Sequence, residues 1–459
     1  MTMIKLDPGA ALLLDALHGA GHAAYAVGGC VRDSLLGLDP HDWDLCTSAR
    51  PEQVMALFGE EKCIPTGLQH GTVTVKQGGR LYETTTFRTE GAYSDGRHPD
   101  AVCFVPDVRE DLARRDFTIN AMAYSAEEGL IDPFGGRDDL AAHLVRAVGE
   151  PERRFEEDAL RILRLYRFAA RFGFAIDPAT GAAARALGPH LDCVSAERIQ
   201  EELLKLLAAP RPGSYLEPAV LADILPELEP EKQPERFAEL CRTIDRIEPT
   251  AENVPTRLAA LLCPLGEAGA RKALRKLKCS NALTDEVTAL EREAGGGAGS
   301  FLLPQSRDRW AGSSSEDRPL GWDPAAAGSR AGDGMARTVS EEEAPGTPGS
   351  EMQLTAKRLL GRYELPTIKR LTALCSARHP EQTGAFAALR AEAERLTAEN
   401  ACCRVSQLAV NGRDLMAAGV RPGPGLRQVL NALLEAVITG QTPNEKDALL
   451  AAAAQFSAS

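Results

Sequence analysis

Features that would place the protein in a membrane or outside the cell are missing from the sequence. No apolar run approaches the ~20 residues that a membrane-spanning helix requires. The first 15 residues lack the basic flank and the small-residue cleavage site of a signal peptide. The eleven cysteines form no C-x₂-C pair and no Cys/His cluster at zinc spacing, which indicates reduced, buried thiols. These absences predict a cytoplasmic protein that has no membrane partner.

Positively charged residues are outnumbered by negatively charged ones. The chain has 52 Lys and Arg against 65 Asp and Glu, which gives a formal net charge of −13. This balance argues against nucleic-acid binding over the whole surface. It leaves room for a local basic groove, because the positions of the Arg and Lys residues matter more than their total.

The 459 residues suffice for about three domains. Short β-rich runs alternate with helices in the first 145 residues, and from Glu156 the chain has helical periodicity almost to its end. The pattern predicts an α/β head followed by an all-α body. In the head it predicts helix Leu12–Leu17, strand Ala24–Val27, helix Val31–Leu36, strand Asp42–Thr47, helix Pro51–Phe58 (with Thr47 or Ser48 as N-cap) and a hairpin turning at Gly78-Gly79.

Residues 295–350 interrupt the helical body. They are rich in Gly, Ser, Ala, Pro and charge and have no sustained periodicity. Such a segment buries too little apolar surface to offset its ordering entropy, so we predict a disordered insertion. The alternative is a partner-docking segment around Trp310 and Trp322.

The pair Gly28-Gly29 and the pair Asp42 and Asp44 form the first constellation of chemical interest. Two glycines that open a helix let a phosphate meet bare backbone N–H groups, although a lone glycine pair is usually just a turn. Aspartates one residue apart on a strand point to the same side. Carboxylates in that arrangement suit Mg²⁺, which favours one or two carboxylates together with the phosphates of a nucleotide. The combination predicts a nucleotidyl-transfer site.

Glu83 is a candidate third carboxylate in this site. It lies in the β-rich run Leu81–Arg88. The alternative is an ordinary salt bridge to Arg80 or Arg88, and the sequence favours neither.

A second constellation runs from Arg114 to Ala123. Arg114 and Arg115 suit phosphate oxygens, and Asp116 can cap a helix or hold one arginine in place. Asn120 offers an amide to a sugar hydroxyl or to a helix end. The alternative is an exposed basic turn followed by a capped helix.

The third constellation is a row of arginines on one predicted helix. Four arginines fall within an arc of about 120°, opposite a face of apolar residues. Their mutual repulsion calls for anions, and triphosphate or RNA phosphate would serve. Asp158 and Glu157 can also pair with the first arginine and leave edges free for a base. The alternative is a solvated face balanced by residues 156–158. The row consists of Arg161, Arg164, Arg167 and Arg171.

The polar, glycine-punctuated stretch from Thr89 to Asp111 lies between the two predicted parts of the site. It could be a mobile lid or a plain surface loop. His98 has no evident partner, so it is not assigned as a base or a ligand.

These motifs, in this order, closely resemble the tRNA nucleotidyltransferase / bacterial poly(A) polymerase family, the class II branch of the polymerase-β-like nucleotidyltransferases. The family's G-G-x-V-R-D-x-L-L-G motif stands at residues 28–37 and is followed by D-x-D. Its R-R-D-F-T-I-N-A-M motif is matched at residues 114–122, and E-D-x-x-R-x-x-R-x-x-R-F at residues 157–168. S-x-E-R-I-x-x-E-L appears at residues 195–203, and a tail-like segment at residues 410–415.

The resemblance implies a role for each site residue. Asp42 and Asp44 would hold the catalytic Mg²⁺, with Glu83 assisting at the primer 3′-hydroxyl. The incoming triphosphate would contact Gly29, Arg32 and Arg115. Asp158 and Arg161 would read the base edges of CTP and ATP, with Arg164 and Arg167 adding phosphate or base contacts.

The resemblance also implies an architecture. An α/β head with a polymerase-β-like mixed sheet would precede an all-α body and tail that grip the acceptor arm and 3′ end of tRNA by shape. The sequence leaves a homodimer open. The expected segments are a head at 1–145, a neck with the nucleotide-selecting helix at 146–230, a helical body at 231–294, the insertion at 295–350 and a tRNA-binding body and tail at 351–459.

The expected activity is template-independent addition of C, C and A to the tRNA 3′ end. The full-length stretch after Thr89 and the tail-like motif favour it over poly(A) polymerase, as does the lack of a strongly basic C-terminal extension. The insertion departs from the family pattern, and no His-Asp metal pair follows the body. A partial enzyme that adds only A or only CC stays an alternative, as does a non-catalytic RNA-binding protein. A dinucleotide-binding oxidoreductase is disfavoured because the third glycine of its fingerprint is missing.

Overall fold

A computed structural model describes residues 4–91, 102–297 and 348–456. The chain divides into two compact units, with the boundary between Ala289 and Leu290. The first unit holds every strand of the described residues and most of the site predicted above. The second unit is helical.

The first unit contains the strands β1 Ala24–Val27, β2 Leu45–Thr47, β3 Cys63–Gly67, β4 Thr72–Gln77, β5 Arg80–Thr86, β6 Arg88–Glu90, β7 Val102–Phe104, β8 Ala123–Ser125, β9 Gly129–Ile131, β10 Leu144–Val145 and β11 Ala175–Ile176. Seven of them form a mixed sheet in the order β3-β4-β5-β2-β1-β8-β9. Only the β2–β5 pair is parallel, and the other neighbours in this sheet are antiparallel. The remaining strands form two small sheets, β6-β7 and β10-β11.

Helices flank the sheet and then take over the chain. Up to the unit boundary they are α1 Pro8–Gly19, α2 Gly29–Leu35, α3 Pro51–Phe58, α4 Val108–Ala113, α5 Gly136–Ala141, α6 Pro151–Glu157, α7 Leu160–Phe172, α8 Pro178–Ala186, α9 Ala196–Leu207, α10 Pro218–Ile224, α11 Pro234–Arg246, α12 Val254–Leu262, α13 Gly266–Lys276 and α14 Asn281–Arg292. The second unit contains α15 Pro348–Arg362, α16 Leu365–Arg378, α17 Thr383–Ala398, α18 Gly412–Ala417, α19 Pro424–Ile438 and α20 Lys446–Phe456, besides a π-helical turn at Glu293–Gly297.

The central strands are buried on both faces. All four residues of β1 and all three of β2 are buried, which explains their continuous apolar character. β5 instead alternates between exposed and buried positions. It is joined to β4 by Gly78-Gly79, where φ is 58° and 79°, as a two-residue hairpin turn requires. The core of the head lies where Tyr25, Val27 and Phe87 pack together.

Several predicted elements are confirmed by the structure. β1 and α3 occupy the predicted residues, and the hairpin turns at the predicted glycines. The predicted helices at Leu12–Leu17 and Val31–Leu36 are present as α1 and α2 with shifted ends. The mixed sheet followed by helices confirms the predicted fold class, an α/β head before an all-α body.

Other expectations were wrong. β2 begins at Leu45, so Asp42 and Asp44 precede the strand. α3 is preceded by Arg50 as its N-cap, and neither Thr47 nor Ser48 caps it. Strands do not end at Glu156, because Ala175–Ile176 forms a short strand beside β10.

One predicted segment lies partly, and another largely, outside the described residues. Of the stretch from Thr89 to Asp111, residues 92–101 lie outside them, and what is described there forms β6, β7 and the start of α4. Of the predicted insertion, residues 298–347 lie outside them, whereas residues 295–297 and 348–350 belong to helices.

All eleven cysteines lie among the described residues, and none of them forms a disulfide. Only five of them are buried, so the expectation of buried thiols was too broad. Across the part of the chain that the structure describes, no helix is both long enough and apolar enough to cross a lipid bilayer.

Candidate active site

A sharp turn joins β1 to α2 and opens the site. Gly28 has φ 77° and ψ −121°, a backbone conformation that is costly for any residue with a Cβ. A Cβ at Gly28 would also lie 2.8 Å from Nη1 of Arg115. Glycine is therefore needed here both for the turn and for the close approach of the guanidinium. At Gly29, the first residue of α2, a Cβ would lie 3.6 Å from Nη2 of Arg32.

The two aspartates lie directly before β2, on one side of the chain. The backbone carbonyl of Asp44 accepts a hydrogen bond from the N–H of Val27 at 3.0 Å, which extends the β1–β2 ladder by one residue. Trp43 is buried between exposed Asp42 and exposed Asp44. This alternation turns both carboxylates to the same side, as the sequence predicted, although the segment is not part of the strand.

The register of strands β2 and β5 places Glu83 beside Asp44. In the parallel β2–β5 pair Leu45 is opposite Thr84, so the preceding residues, Asp44 and Glu83, are neighbours. Within the described residues Glu83 forms no ion pair, and Arg80 pairs with Asp7 instead. The salt-bridge alternative for Glu83 therefore has no support in the structure.

The three carboxylates repel one another. Desolvation raises the pKa of Asp44, and the negative charges of Glu83 and Asp42 raise it further, whereas Arg115 opposes the shift. A cation would relieve this repulsion. The described residues contain no group of three His, Cys, Asp or Glu side chains arranged to hold a metal ion by themselves. The donor set therefore fits a metal that takes one or two carboxylates and completes its shell with substrate and water.

Arg32 lies deep in the head, 3% exposed. Its Nε donates to Asp33 at 2.7 Å and its Nη1 donates to Asn120 at 2.5 Å. The guanidinium carbon lies 5.2 Å from the ring centre of Phe168 and 4.8 Å from that of Phe172. A guanidinium has five N–H donors, so Arg32 retains donors for a ligand on the side of Gly29.

Arg115 is held from behind by a buried carboxylate. Asp111 is fully buried, and its Oδ2 lies 3.5 Å from Nη2 of Arg115. The other oxygen of Asp111 accepts hydrogen bonds from Nε and Nη2 of Arg114. This carboxylate aims Arg115 at the Gly28 turn.

The arginine row lies on α7, and each member is paired with a carboxylate. In the structure, protein carboxylates neutralise the arginines for which the sequence suggested bound anions. Of the carboxylates in these four pairs, Glu157 alone belongs to residues 156–158, which the sequence offered as the alternative. The pairs are Arg161 with Glu157 at 2.8 Å, Arg164 with Asp116 at 2.6 Å, Arg167 with Glu202 at 2.7 Å and Arg171 with Asp33 at 3.2 Å.

Asp158 does not pair with Arg161. Its backbone is extended, with φ −148° and ψ 103°, and it separates α6 from α7. Its Oδ2 accepts from Nη2 of Arg198 on α9 at 2.8 Å. Arg161 instead donates to Glu157 and to the backbone carbonyls of Arg154 and Arg114. The predicted Asp158–Arg161 pair assumed one continuous helix, and the break between α6 and α7 removes that spacing.

Arg164 and Arg167 are also part of an aromatic contact. Both guanidinium carbons lie over the ring of Phe168, at 5.3 Å and 4.2 Å from its centre. Burial lowers the pKa of Arg167 to about 10, which the charge of Glu202 partly offsets. Even so, Arg167 stays protonated near neutral pH.

Sequence reasoning missed five residues that orient the site. Two of them, Arg198 and Glu202, belong to the S-x-E-R-I-x-x-E-L motif, so that motif gave a signal for them. Asp33 lies in the glycine motif, and Phe168 ends the arginine motif. The fifth, Asp111, precedes the R-R-D motif and had no distinguishing sequence signal.

A glycine turn and paired aspartates at the end of a mixed sheet, with an arginine-bearing helix nearby, define a nucleotidyltransferase. Residues 24–146 match the family model described as Poly A polymerase head domain. Residues 173–233 match the probable RNA and SrmB-binding site of polymerase A, and residues 357–453 a putative tRNA nucleotidyltransferase domain 2.

Relatives cover nearly the whole chain. The CCA-adding enzyme of Limosilactobacillus fermentum is 35% identical over 97% of this chain and 96% of its own length. That of Lactobacillus helveticus is 33% identical over 95% and 94%. The crystal structure of the Bacillus stearothermophilus CCA-adding enzyme in complex with CTP has 31% identity and a TM-score of 0.72, and the match covers 98% of each chain. The chain belongs to the family of CCA-adding enzymes.

Proposed function

We propose that this protein adds C, C and A in turn to the 3′ end of tRNA, from CTP and ATP and with release of pyrophosphate. The observation that carries the proposal is the likeness to CCA-adding enzymes along nearly the full chain, together with the carboxylates gathered around Asp44. A binding module has no use for clustered, mutually repelling carboxylates facing an RNA backbone.

Enzymes of this family use a divalent metal ion, and we assign Mg²⁺ to Asp42 and Asp44. When bound, Mg²⁺ neutralises the leaving pyrophosphate and activates the attacking hydroxyl. Glu83 lies on β5 next to Asp44, where its carboxylate can accept or orient the proton of the primer 3′-hydroxyl.

The triphosphate would lie at the β1–α2 turn. Gly29 presents backbone without a side chain, and Arg32 borders the space beside it. Arg115, 21% exposed, approaches the same turn from the other side. Two arginines and bare backbone are a suitable cradle for phosphate oxygens.

Base selection would fall to the start of α7. Asp158 offers carboxylate acceptors and Arg161 offers guanidinium donors, which suit the Watson–Crick edges of cytosine and adenine. Each already holds a protein partner, so a bound base shares or replaces those contacts. Arg164 and Arg167 lie one and two turns further along the same helix, where they contribute phosphate or base contacts.

A primer-extension assay with Mg²⁺ tests the proposal. The primers are tRNA ending before CCA, tRNA ending in CC, and oligo(A), each with CTP, ATP or both. Two C additions followed by one A, and then arrest, support the proposal. Unlimited extension of oligo(A) by ATP alone would mean a poly(A) polymerase, and no incorporation on any primer would favour a non-catalytic RNA-binding protein.

A further inference from the structure

Asn120 occupies a central place that the proposed function does not use. It ends the 3₁₀ turn Thr118–Asn120, which precedes β8, and it is 6% exposed. Both ends of its side-chain amide are engaged by protein groups. It is therefore poorly placed to reach a sugar hydroxyl, which was one of the roles its sequence position suggested.

The carbonyl end of Asn120 holds Arg32. It accepts a hydrogen bond from Nη1 at 2.5 Å, between two residues 88 positions apart in sequence. Asp33 holds the other edge of the same guanidinium, and the rings of Phe168 and Phe172 pack against it. Asp33 binds one edge of the Arg32 guanidinium and Asn120 binds Nη1, so together they hold the guanidinium plane in one orientation.

The nitrogen end of Asn120 holds Asp116. It donates to Oδ1 at 2.9 Å, while Oδ2 accepts from Nε and Nη2 of Arg164 at 2.8 Å and 2.6 Å. A guanidinium only donates and a carboxylate only accepts. The amide therefore has one orientation that satisfies both neighbours, with oxygen toward Arg32 and nitrogen toward Asp116.

We propose that Asn120 is a positioning residue that couples the triphosphate side of the site, at Arg32, to the base-selecting helix α7, at Arg164. This inference rests on the proposed function, because it assigns Arg32 and α7 to nucleotide binding. An ion pair between Arg171 and Asp33 also joins α2 to α7. Arg171 is 45% exposed there, so solvent screens that pair far more than the buried Asn120 link.

The test compares Asn120→Leu with a matched control, Thr118→Val. Both replace a buried polar side chain of the same turn, and Thr118 donates to Asp139 on α5, away from Arg32. Affinities for CTP and ATP in the presence of Mg²⁺ are measured by calorimetry, and KM and kcat by primer extension on tRNA. Thermal melts establish that both variants are folded.

Asn120→Leu is expected to weaken binding of both nucleotides about tenfold or more, because buried Arg32 and buried Asp116 each lose a hydrogen-bond partner. Thr118→Val is expected to leave affinity within about twofold despite a similar loss of stability. Equal affinities in the two variants would overturn the inference. If the wild type binds nucleotides without transferring them, the proposed function fails and the affinity comparison still decides the role of Asn120. If it neither binds nor transfers, both are overturned.

The pH dependence of nucleotide affinity in Asn120→Asp distinguishes a positioning role of Asn120 from a purely structural one. In this variant the carboxylate at residue 120 still accepts from Arg32 but repels Asp116, and this repulsion favours protonation of one of the two carboxylates as the pH falls. Arg164 binds Asp116, so the proton goes to residue 120, where a protonated carboxyl donates to Asp116 as the amide did. Arg32, Asp116 and Arg164 are the charged groups facing this position, with Asp33 behind Arg32.

Nucleotide affinity of Asn120→Asp, relative to wild type at the same pH, should therefore recover severalfold from pH 8 to pH 6. The relative affinity of Asn120→Leu should not change over this range. Equal pH dependence in the two variants would contradict the coupling role.

Discussion

Asp116 binds Arg164 through both Nε and Nη2, at 2.8 Å and 2.6 Å, and so ties the R-R-D turn to helix α7 across 48 positions of sequence. Asp116 is 8% exposed. Its carboxylate also accepts from its neighbour's backbone N–H and from Asn120. A buried charge with this many partners contributes strongly to stability only while all of them remain.

The first prediction concerns this pair. Asp116→Asn should destabilise the first unit by about 1.5–3 kcal/mol, because it removes the nearest counter-charge of Arg164, whose side chain is 32% exposed, and weakens the hydrogen bonds that the buried carboxylate accepts. Asp138→Asn, on the exposed first turn of α5, should change stability by less than about 0.5 kcal/mol. Urea denaturation followed by circular dichroism measures both. A loss at Asp116 no larger than that at Asp138 would contradict the prediction.

The same pair predicts a pH dependence. Although burial alone would raise it, Arg164 and the hydrogen bond from Asn120 hold the pKa of Asp116 far below its usual value. A lowered folded-state pKa stabilises the fold above the unfolded pKa of about 3.9, and that stability is lost as pH falls toward the folded value. The wild type should therefore lose stability below about pH 4 more steeply than Asp116→Asn. Parallel stability curves for the two proteins between pH 5 and 2.5 would refute this.

Asp44 should be indispensable for transfer. Asp44→Asn removes a metal-binding charge worth several kcal/mol in the transition state, so activity on tRNA should fall about a thousandfold or more. Desolvation and the charges of Glu83 and Asp42 raise the pKa of Asp44, so neutralising it should leave the folded state intact or slightly more stable. Asp39→Asn, an exposed aspartate shortly before the site, serves as the control and should retain full activity. The rates at which the two variants and the wild type extend tRNA ending before CCA with CTP test this prediction.

Gly28 should tolerate no side chain. Gly28→Ala adds the cost of a positive φ, about 1 kcal/mol, and a clash with Arg115. Gly37→Ala also places alanine at a positive φ, 73°, but meets nothing within 4 Å. We therefore expect a stability loss from the backbone in both variants and a rise in nucleotide KM for Gly28→Ala alone. A KM at the wild-type value in Gly28→Ala would show that Arg115 moves aside without cost.

Arg257 should carry much of the stability of the helical part of the first unit. Its side chain is fully buried and donates to the backbone carbonyls of Leu207, Ala209, Pro210 and Ile247. Arg257→Met should cost about 3–5 kcal/mol, since it leaves carbonyls near the end of α9 without donors. Arg271→Met, at a partly exposed ion pair with Asp285, should cost about 1 kcal/mol or less. Thermal unfolding of the two variants provides the comparison, and equal shifts would disprove the role of Arg257.

How far sequence reasoning reaches can be seen at α6 and α7. The periodicity of the arginines correctly predicted the helix that carries them. It also suggested an Asp158–Arg161 pair, which fails because Asp158 adopts an extended backbone between two helices. Two residues, Asp158 and Ala159, separate the helices. So short a break has little effect on the periodic pattern but changes the direction of the side chains that precede it.

The strand before the site gives a similar lesson. Alternation correctly placed the carboxylates of Asp42 and Asp44 on one side, yet β2 itself starts only after both of them, at Leu45, three residues later than predicted. Alternation continues wherever a chain is extended, whereas a strand also requires hydrogen bonds to a neighbour, and these depend on the rest of the sheet.

By itself, the sequence determined the local features: the glycine turn after β1, the hairpin at Gly78-Gly79, the helical arginine row and the motifs that carry the family resemblance. These follow from backbone sterics and side-chain periodicity within a few residues. Only the tertiary structure decided that Glu83 lies beside Asp44 and which carboxylate neutralises each arginine. The partners of Arg164 and Arg171 are 48 and 138 residues away in sequence. Such pairings are fixed by strand register and helix packing, which no local pattern encodes.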